Sequence, residues 1–205
     1  MRPIRADSAR LESLRALLQS VADEGVTHVA EGLSTFVGET ILISSPSIKV
    51  VPLAELSSIL GEPDEVGIGI YLALAGGLSG HVMLLLSRES ALELVNLLLA
   101  GQNGPVTDLG PLERSALAEI GNLTASLFLT AVARVTGIKL LRPSPPAVIE
   151  DMVGAILDIL AVAIGAVSEY ALIMETDFHR PNHSASALFL LIPNFESLED
   201  LVGFA

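Results

Sequence analysis

The stretch that decides the fold runs from Pro111 to Gly137 and reads PLERSALAEIGNLTASLFLTAVARVTG. A proline at the first position, Glu113 in the first turn, Arg134 near the end and a glycine directly after it are the start and stop signals of an α-helix. The sequence therefore predicts one helix of about seven turns over residues 112–136.

A narrow polar stripe runs along this predicted helix. Ser115, Glu119 and Asn122 are spaced i, i+4 and i+7, which places them on one face. The stripe is surrounded by small residues, among them Gly121 and Ser126. A glycine inside a helix costs about 1 kcal/mol relative to alanine, so Gly121 indicates that another group approaches the backbone closely there.

A glutamate and an asparagine three residues apart are usually just part of a solvated face, but a longer pattern follows them. Pro145 comes after 22 further residues. Asn122 lies roughly 20 Å before the helix end at about 1.5 Å per residue. Eight extended residues from Gly137 to Pro145 return by roughly 26 Å. The spacing therefore brings Pro145 back to about the level of Asn122.

The pattern Ser115-x3-Glu119-x2-Asn122-x22-Pro145 resembles the motif of the CheC/CheX/FliY family of CheY-phosphate phosphatases, and the chain is most like CheC. All four motif positions match, and the resemblance covers about residues 10 to 205. It implies a chemotaxis phosphatase that accelerates hydrolysis of the aspartyl phosphate of a CheY-like response regulator.

The resemblance also implies roles for single residues. Asn122 would hold the attacking water in line with the phosphorus, and Glu119 would pair with a lysine of the regulator. The partner-contacting residues are then Ser115, Gly121, Ser126 and Pro145. The regulator brings its own Mg²⁺, so no bound metal and no cofactor are predicted for this chain.

Composition excludes several other functions. A net charge of −13, few aromatic residues and no tryptophan argue against nucleic-acid binding. The absence of cysteine fits a reducing cytoplasm. The uncharged run 66–87 is long enough to span a membrane, but large and small residues alternate around a central glycine turn. It therefore predicts a β-hairpin and no membrane insertion.

Helix, strand, helix, hairpin and helix follow one another twice along the chain. The expected elements are helices at 8–37, 52–60, 89–100, 112–136, 151–164 and 196–202, strands at 41–43, 48–51, 138–142, 170–176 and 185–192, and the hairpin at 66–87. The sequence thus predicts an α/β fold in which two pseudo-symmetric halves, about 9–100 and 111–205, share one mixed sheet with helices packed on it. One domain, 1–205, would contain both halves and a linker at about 101–110.

The first half departs from the motif. Shifted back by 99 residues, the motif positions fall on Ala16, Ser20, Asp23 and Pro46. Serine supplies no anion, and an aspartate cannot donate an amide hydrogen bond and would repel a phosphoryl group. The first half is therefore predicted to be catalytically silent.

Two rival functions remain open at this stage. The protein could bind a response regulator without hydrolysing its phosphate, as related FliM-like switch domains do with the same fold. It could also regulate a CheD-type receptor deamidase, a partner that the resemblance raises. The intact Glu119/Asn122 pair favours the enzyme, because a pure adaptor needs no water-positioning amide.

Overall fold

A computed structural model describes residues 8–52, 55–56, 62–99, 105–139, 141–164, 170–180, 183–194 and 197. The helices in chain order are α1 Ser8–Val37, α2 Arg88–Leu99, α3 Pro111–Thr136 and α4 Val153–Ile164. The strands are β1 Leu42–Ile43, β2 Ser47–Pro52, β3 Val66–Ala75, β4 Gly80–Ser87, β5 Arg142–Pro143, β6 Ala147–Met152, β7 Tyr170–Arg180 and β8 His183–Pro193.

These eight strands form one sheet with the order β1-β7-β8-β4-β3-β5, in which β2 also pairs with β7 and β6 with β3. If each strand is replaced by its equivalent in the other half (β1 by β5, β3 by β7, β4 by β8), the strand order is the same read from the opposite edge. Each half places its two short strands beside the hairpin of the other half. The predicted α/β fold class, with two related halves sharing a sheet, is confirmed.

One detail of that prediction needs correction, because the sheet is not mixed. Every pairing between described strands is antiparallel. The two halves meet where β4 pairs with β8, for example at Leu84 and Phe189. A pseudo-twofold axis through that contact relates equivalent neighbouring strands in opposite directions, so an antiparallel pair results.

One face of the sheet is covered by α1, α2 and α3. The alternate residues Ile68, Ile70 and Leu72 of β3 point into this core, as the two-residue period of a strand requires. Phe128 of α3 and Phe189 of β8 bring their ring centroids to 4.9 Å. Burying these side chains contributes roughly 1.5–3 kcal/mol each, so α3 is fixed to the sheet mainly by its apolar side.

The opposite face packs against α4. Ile156 and Leu160 of this helix form a second core with Met83 of β4 and Ile173 of β7. The small residues of β3 face this side. A Cβ built at Gly69 would lie 3.0 Å from Ile156 Cγ2, so glycine here lets the helix approach the strand. This explains the alternation of large and small residues along β3.

The structure confirms the first helix, the hairpin and the helix after it to within a few residues. The strand predicted at 138–142 is wrong for residues 138, 139 and 141, which belong to no strand; residue 140 lies outside the described residues, and β5 begins at Arg142. Strand β6 was not predicted, and the helix placed at 151–164 begins at Val153. An acidic pair at Glu150 and Asp151 is typical of a helix start, and pairing with β3 overrides it.

Other predicted elements fall partly or wholly outside the described residues. These are most of the helix at 52–60, residues 101–104 of the linker and all but one residue of the helix at 196–202. Residues 105–110 are described and held against α2. The Asn96 side chain accepts a hydrogen bond from the Val106 N–H at 2.6 Å and donates one to the Val106 carbonyl at 3.1 Å.

Helix α3 is the one helix of the described part that is long and apolar enough to cross a membrane, judged by length and composition alone. Half of that apolar window is buried inside the protein. Leu117, Ile120 and Val132 contribute to the core over the sheet. The apolar character of α3 is therefore explained by packing.

Candidate functional site

Helix α3 has the ends that its sequence predicts. It starts with Pro111 at the first turn, and Gly137 follows its last residue in the left-handed conformation with φ 75°. The Gly137 N–H donates to the Ala133 carbonyl at 2.9 Å. Glycine is required at this position because a side chain at positive φ would be strained.

A charged network fixes the first turns of α3. The Arg114 guanidinium forms an ion pair with Glu150 of β6, and its Nε donates to the Leu109 carbonyl at 3.2 Å. Arg88 lies 3.4 Å from the same Glu150 and 2.7 Å from Asp108. These contacts set the rotation of α3 just before Ser115. They were missed at the sequence level because β6 was not recognised.

Gly121 lies on the inner side of the helix. It is buried, and a Cβ built there would come 2.4 Å from Ile70 Cγ2 on β3. The close approach to the backbone is therefore real, but the approaching group belongs to the sheet. The prediction that Gly121 contacts a partner places it on the outer side of the helix, whereas the structure places it on the inner side.

The outer side of α3 carries the rest of the predicted stripe. Ser115 and Glu119 are exposed, and Asn122 and Ser126 are half-buried. We call these four residues the α3 face. Within the described part of the chain, the side chains of Glu119 and Asn122 make no hydrogen bond or ion pair. The carboxylate and the amide therefore keep their hydrogen-bonding positions for water or a partner.

Pro145 is exposed in the short loop between β5 and β6. The loop is held to β3 by Ser144, whose N–H donates to the Ala73 carbonyl at 2.8 Å and whose Oγ accepts from the Ala73 N–H at 3.0 Å. Ile70, on which Gly121 packs, pairs with Val148 of β6. The chain thus returns beside the part of β3 that the middle of α3 covers, as the spacing requires.

In the first half, the loop after the first short strand also returns to its helix, and a direct hydrogen bond shows this. Asp23 of α1 accepts hydrogen bonds from Ser45 Oγ at 3.4 Å and from Gln19 Nε2 at 2.9 Å. Ser45 precedes Pro46, which is buried. We call Ala16, Ser20, Asp23 and Thr27 the α1 face. Its carboxylate is engaged by neighbouring side chains, in contrast to Glu119 and Asn122.

Helices α1 and α3 are also joined to each other. Arg134 lies 3.0 Å from Glu24, and its Nη1 is 2.7 Å from His28 Nε2. Gly25 faces the Phe128 ring, with 3.4 Å between a built Cβ and Cδ2. Glu24 and His28, which stand near Asp23 in the sequence, therefore hold the two helices together.

A small cavity of about 40 Å³ lies between α1, α3 and the sheet. Mostly apolar side chains line it, together with Thr176 and with Thr124, which is 7% exposed. Thr124 Oγ1 is buried and has no hydrogen-bond partner among the described residues. An unpaired buried hydroxyl costs about 1–3 kcal/mol, so this position is a weak point in the packing of α3.

Two titratable groups with shifted pKa values, Tyr71 and His81, lie on the opposite face of the sheet. Tyr71 and His81 stack at 5.8 Å, and Tyr71 OH is 2.8 Å from His81 Nδ1. Burial raises the pKa of Tyr71 and lowers the pKa of His81, because each charged form loses water. Tyr71 packs into the core under α4, so the pair belongs to that layer.

No group of three or more His, Cys, Asp or Glu side chains suited to a metal ion occurs in the described part of the chain. The prediction that this chain binds no metal and no cofactor stays a prediction.

Comparison with solved structures defines the class of fold. FliY from Thermotoga maritima is similar with a TM-score of 0.73 and 16% identity, over 94% of this chain and 95% of that one. The FliM middle domain from H. pylori is similar with a TM-score of 0.62 and 11% identity, over 97% and 99%. The chain therefore has the fold of FliY and of the FliM middle domain.

Sequence comparison narrows this class. The sequence model of the CheC-like family matches residues 112–150, the segment from α3 to β6 that contains all four motif positions. The CheY-P phosphatase CheC of Bacillus subtilis (strain 168) is 28% identical over 189 residues, which is 90% of each chain. The predicted resemblance is confirmed: the chain is similar in sequence to CheC over nearly its whole length.

Proposed function

We propose that the protein accelerates hydrolysis of the aspartyl phosphate of a CheY-like response regulator, with one regulator bound per chain against the α3 face. The observation that carries the proposal is the pair of unengaged side chains, Glu119 and Asn122, on the outer side of a rigidly held helix. The name of the B. subtilis relative, a CheY-P phosphatase, supports the same activity.

The chemistry asks little of the protein. Phosphoryl transfer is catalysed mainly by positioning and by electrostatic stabilisation, and the regulator supplies the phosphoryl group and its Mg²⁺. The Asn122 amide has an acceptor and donors on one short arm, so it can hold a water in line with the phosphorus. Because Asn122 is half-buried, neighbouring atoms restrict the directions in which the amide can point.

Glu119 acts one helical turn earlier. Its side chain is exposed, so its carboxylate can form a charge-assisted contact with a lysine of the regulator and fix the docking geometry. Ser115 and Ser126 extend the contact to either side, and Pro145 shapes the surface beside them. The ion pairs of Arg114 and Arg88 with Glu150 contribute indirectly, because they orient the helix that carries Glu119 and Asn122.

The leading alternative is a regulator-binding adaptor without activity. FliM middle domains share the fold, so the fold does not decide between the two functions. A water-positioning amide favours the enzyme, since an adaptor gains nothing from it. A CheD-type deamidase as a second partner stays a prediction of the family resemblance, and no surface in the described residues is specific to it.

The experiment follows the lifetime of a phosphorylated CheY-like regulator with and without the protein. Wild type should shorten the lifetime, and Asn122→Ala should remove most of that effect while leaving regulator binding intact. Loss of one positioning group typically lowers the rate by about 10²–10³.

The matched control is Asp23→Ala at the equivalent position of α1, which should leave activity unchanged. An Asn122→Ala protein with normal turnover would show that the water is positioned by some other group. Binding of the regulator by wild type without any change in its phosphate lifetime would instead establish the adaptor.

A further inference from the structure

A groove of about 540 Å³ runs along the C-terminal half of α3. It lies between this half of the helix and the segment that leads from Gly137 to β5. Its floor includes Leu129, Ile138, Leu141 and Pro143. Its rim includes Ser126, Thr130 and Lys139. We call it the α3 groove.

The groove continues the α3 face. Ser126, Thr130 and Ala133 line it and follow Glu119 and Asn122 in steps of three or four residues, so all five project from the same side of the helix. At about 1.5 Å per residue, the far end of the groove lies roughly 20 Å from Glu119. Asn122 and the groove therefore belong to one continuous surface, and a partner that covers Asn122 can also contact the groove.

The rim is basic in a strongly acidic protein. Lys139 and Arg134 line the groove, and both side chains are exposed. Arg134 is paired with Glu24, whereas Lys139 forms no ion pair with any residue of the described ranges. The whole chain carries a net charge of −13, so two cations lining one groove oppose the general charge of the surface.

The equivalent region of the first half has different charges. Glu31 stands 99 residues before Thr130, and Thr40 stands 99 residues before Lys139; both are exposed. The first half thus has acidic Glu31 where the second half has neutral Thr130, and neutral Thr40 where the second half has cationic Lys139. The basic groove accompanies the half that has Glu119 and Asn122, and an acidic surface accompanies the half that lacks them.

We infer that the α3 groove is a second docking site for the same response regulator. A surface segment of the regulator binds there: its acidic residues contact the basic rim, and one of its apolar side chains fills the groove. The identity of the partner rests on the proposed function. The acidic segment lies roughly 20 Å from the lysine that contacts Glu119. An acidic contact at one end of the α3 face and a basic contact at the other admit the regulator in only one direction.

The first test reverses the charge of the rim. Lys139→Glu is expected to raise the KM for a phosphorylated CheY-like regulator about three- to tenfold and to flatten its dependence on ionic strength. The kcat at saturating regulator should stay unchanged, because Lys139 does not touch the reacting atoms. The matched control, Thr40→Glu, changes charge at the equivalent position of the first half and should alter neither constant.

The second test fills the groove without changing charge at the rim. Thr130→Trp introduces a large side chain at an exposed helical position, and Glu31→Trp places the same side chain at the equivalent position of α1, where it also removes a carboxylate. Only Thr130→Trp should weaken binding of a single-domain CheY-like regulator held in its active state by beryllofluoride and Mg²⁺. Thermal melting of both variants checks that the fold is intact.

The outcomes separate this inference from the proposed function. An active wild type whose KM is unaffected by Lys139→Glu and by Thr130→Trp overturns the groove and leaves the phosphatase standing. An inactive wild type whose regulator binding is weakened by both variants overturns the phosphatase and supports the groove. A change in oligomeric state on Thr130→Trp would show that a second copy of this chain occupies the groove, which also overturns the inference.

Discussion

Helices α1 and α3 occupy equivalent places in the fold but present different chemistry to solvent. Both pack on the same side of the sheet, and both are followed by a short strand and a proline loop. On α1 the carboxylate of Asp23 is engaged by Ser45 and Gln19. On α3 the side chains of Glu119 and Asn122 make no such contact within the described residues.

The comparison shows that the scaffold and the site are separable. Three helical positions differ between the halves in ways that matter: Ser20, Ala22 and Asp23 on α1 correspond to Glu119, Gly121 and Asn122 on α3. Two of these positions face solvent and one faces the sheet. The α1 positions can therefore be copied onto α3 one at a time, and each copy tests a different part of the difference.

The largest effect is expected from Asn122→Asp, which gives α3 the residue that α1 has. A carboxylate cannot donate to the phosphoryl oxygens and repels them, so the rate should fall by about 10²–10³ or more. The lifetime of the phosphorylated regulator measures this loss. Asp23→Asn is the matched control and should change nothing, because Ser20 still supplies no anchor. Full activity in Asn122→Asp would show that the change from asparagine to aspartate does not explain why the α1 face is silent.

Glu119→Ser copies Ser20 and should act mainly on docking. We expect the KM to rise about tenfold with a smaller change in kcat, because an exposed charge pair contributes about 1 kcal/mol or somewhat more when it is partly shielded by the partner. Measuring KM at several ionic strengths checks the assignment. A salt dependence equal to that of wild type would argue that Glu119 has no cationic partner.

Gly121→Ala copies Ala22 and tests the inner side. The added methyl comes 2.4 Å from Ile70 Cγ2, so overpacking of about 1–3 kcal/mol should outweigh a gain of about 1 kcal/mol in helix propensity. Urea unfolding should show a net loss of stability. Gly25→Ala is the contrasting variant, because its Cβ would lie 3.4 Å from Phe128 Cδ2, an ordinary contact, and it should stabilise by about 0.5–1 kcal/mol. Equal changes in both variants would show that the approach to Ile70 is not a constraint.

The smallest effect is expected from Thr124→Val, at the position of α3 that corresponds to Gly25 of α1. The change keeps the shape and removes a buried hydroxyl without a described partner, so stability should rise by about 1 kcal/mol or less. Thermal unfolding at neutral pH measures this. Destabilisation would indicate that a water in the 40 Å³ cavity satisfies the hydroxyl.

Local signals predicted much of the fold. Pro111 and Gly137 mark the two ends of α3, and alternating large and small residues mark β3. The offset of 99 residues between the motif positions of the two halves indicates the repeat. The helix ends and the strand alternation depend on near neighbours in the sequence, and the repeat shows as a fixed offset, so sequence reasoning recovers all three.

Local sequence signals do not predict which strands pair when the strands are far apart in the sequence. Strand β6 has an acidic pair near its end and is stabilised by β3, which lies about 80 residues earlier. Without β6, the ion pairs of Arg114 and Arg88 with Glu150 had no geometric basis. Gly121 was placed on the correct helix and on the wrong side, because a glycine signals a close approach without telling which element approaches.

The exchange of short strands between the halves has a consequence for how the chain folds during synthesis. Strand β2 pairs with β7, and Pro52 lies opposite Tyr170. Neither β1 nor β2 has its described partner until β7 has been translated, which takes on the order of 10 s at about 5–20 residues per second. The amino-terminal half must wait with open strand edges, and a high contact order slows the final closure. Neither half can therefore complete its part of the sheet alone.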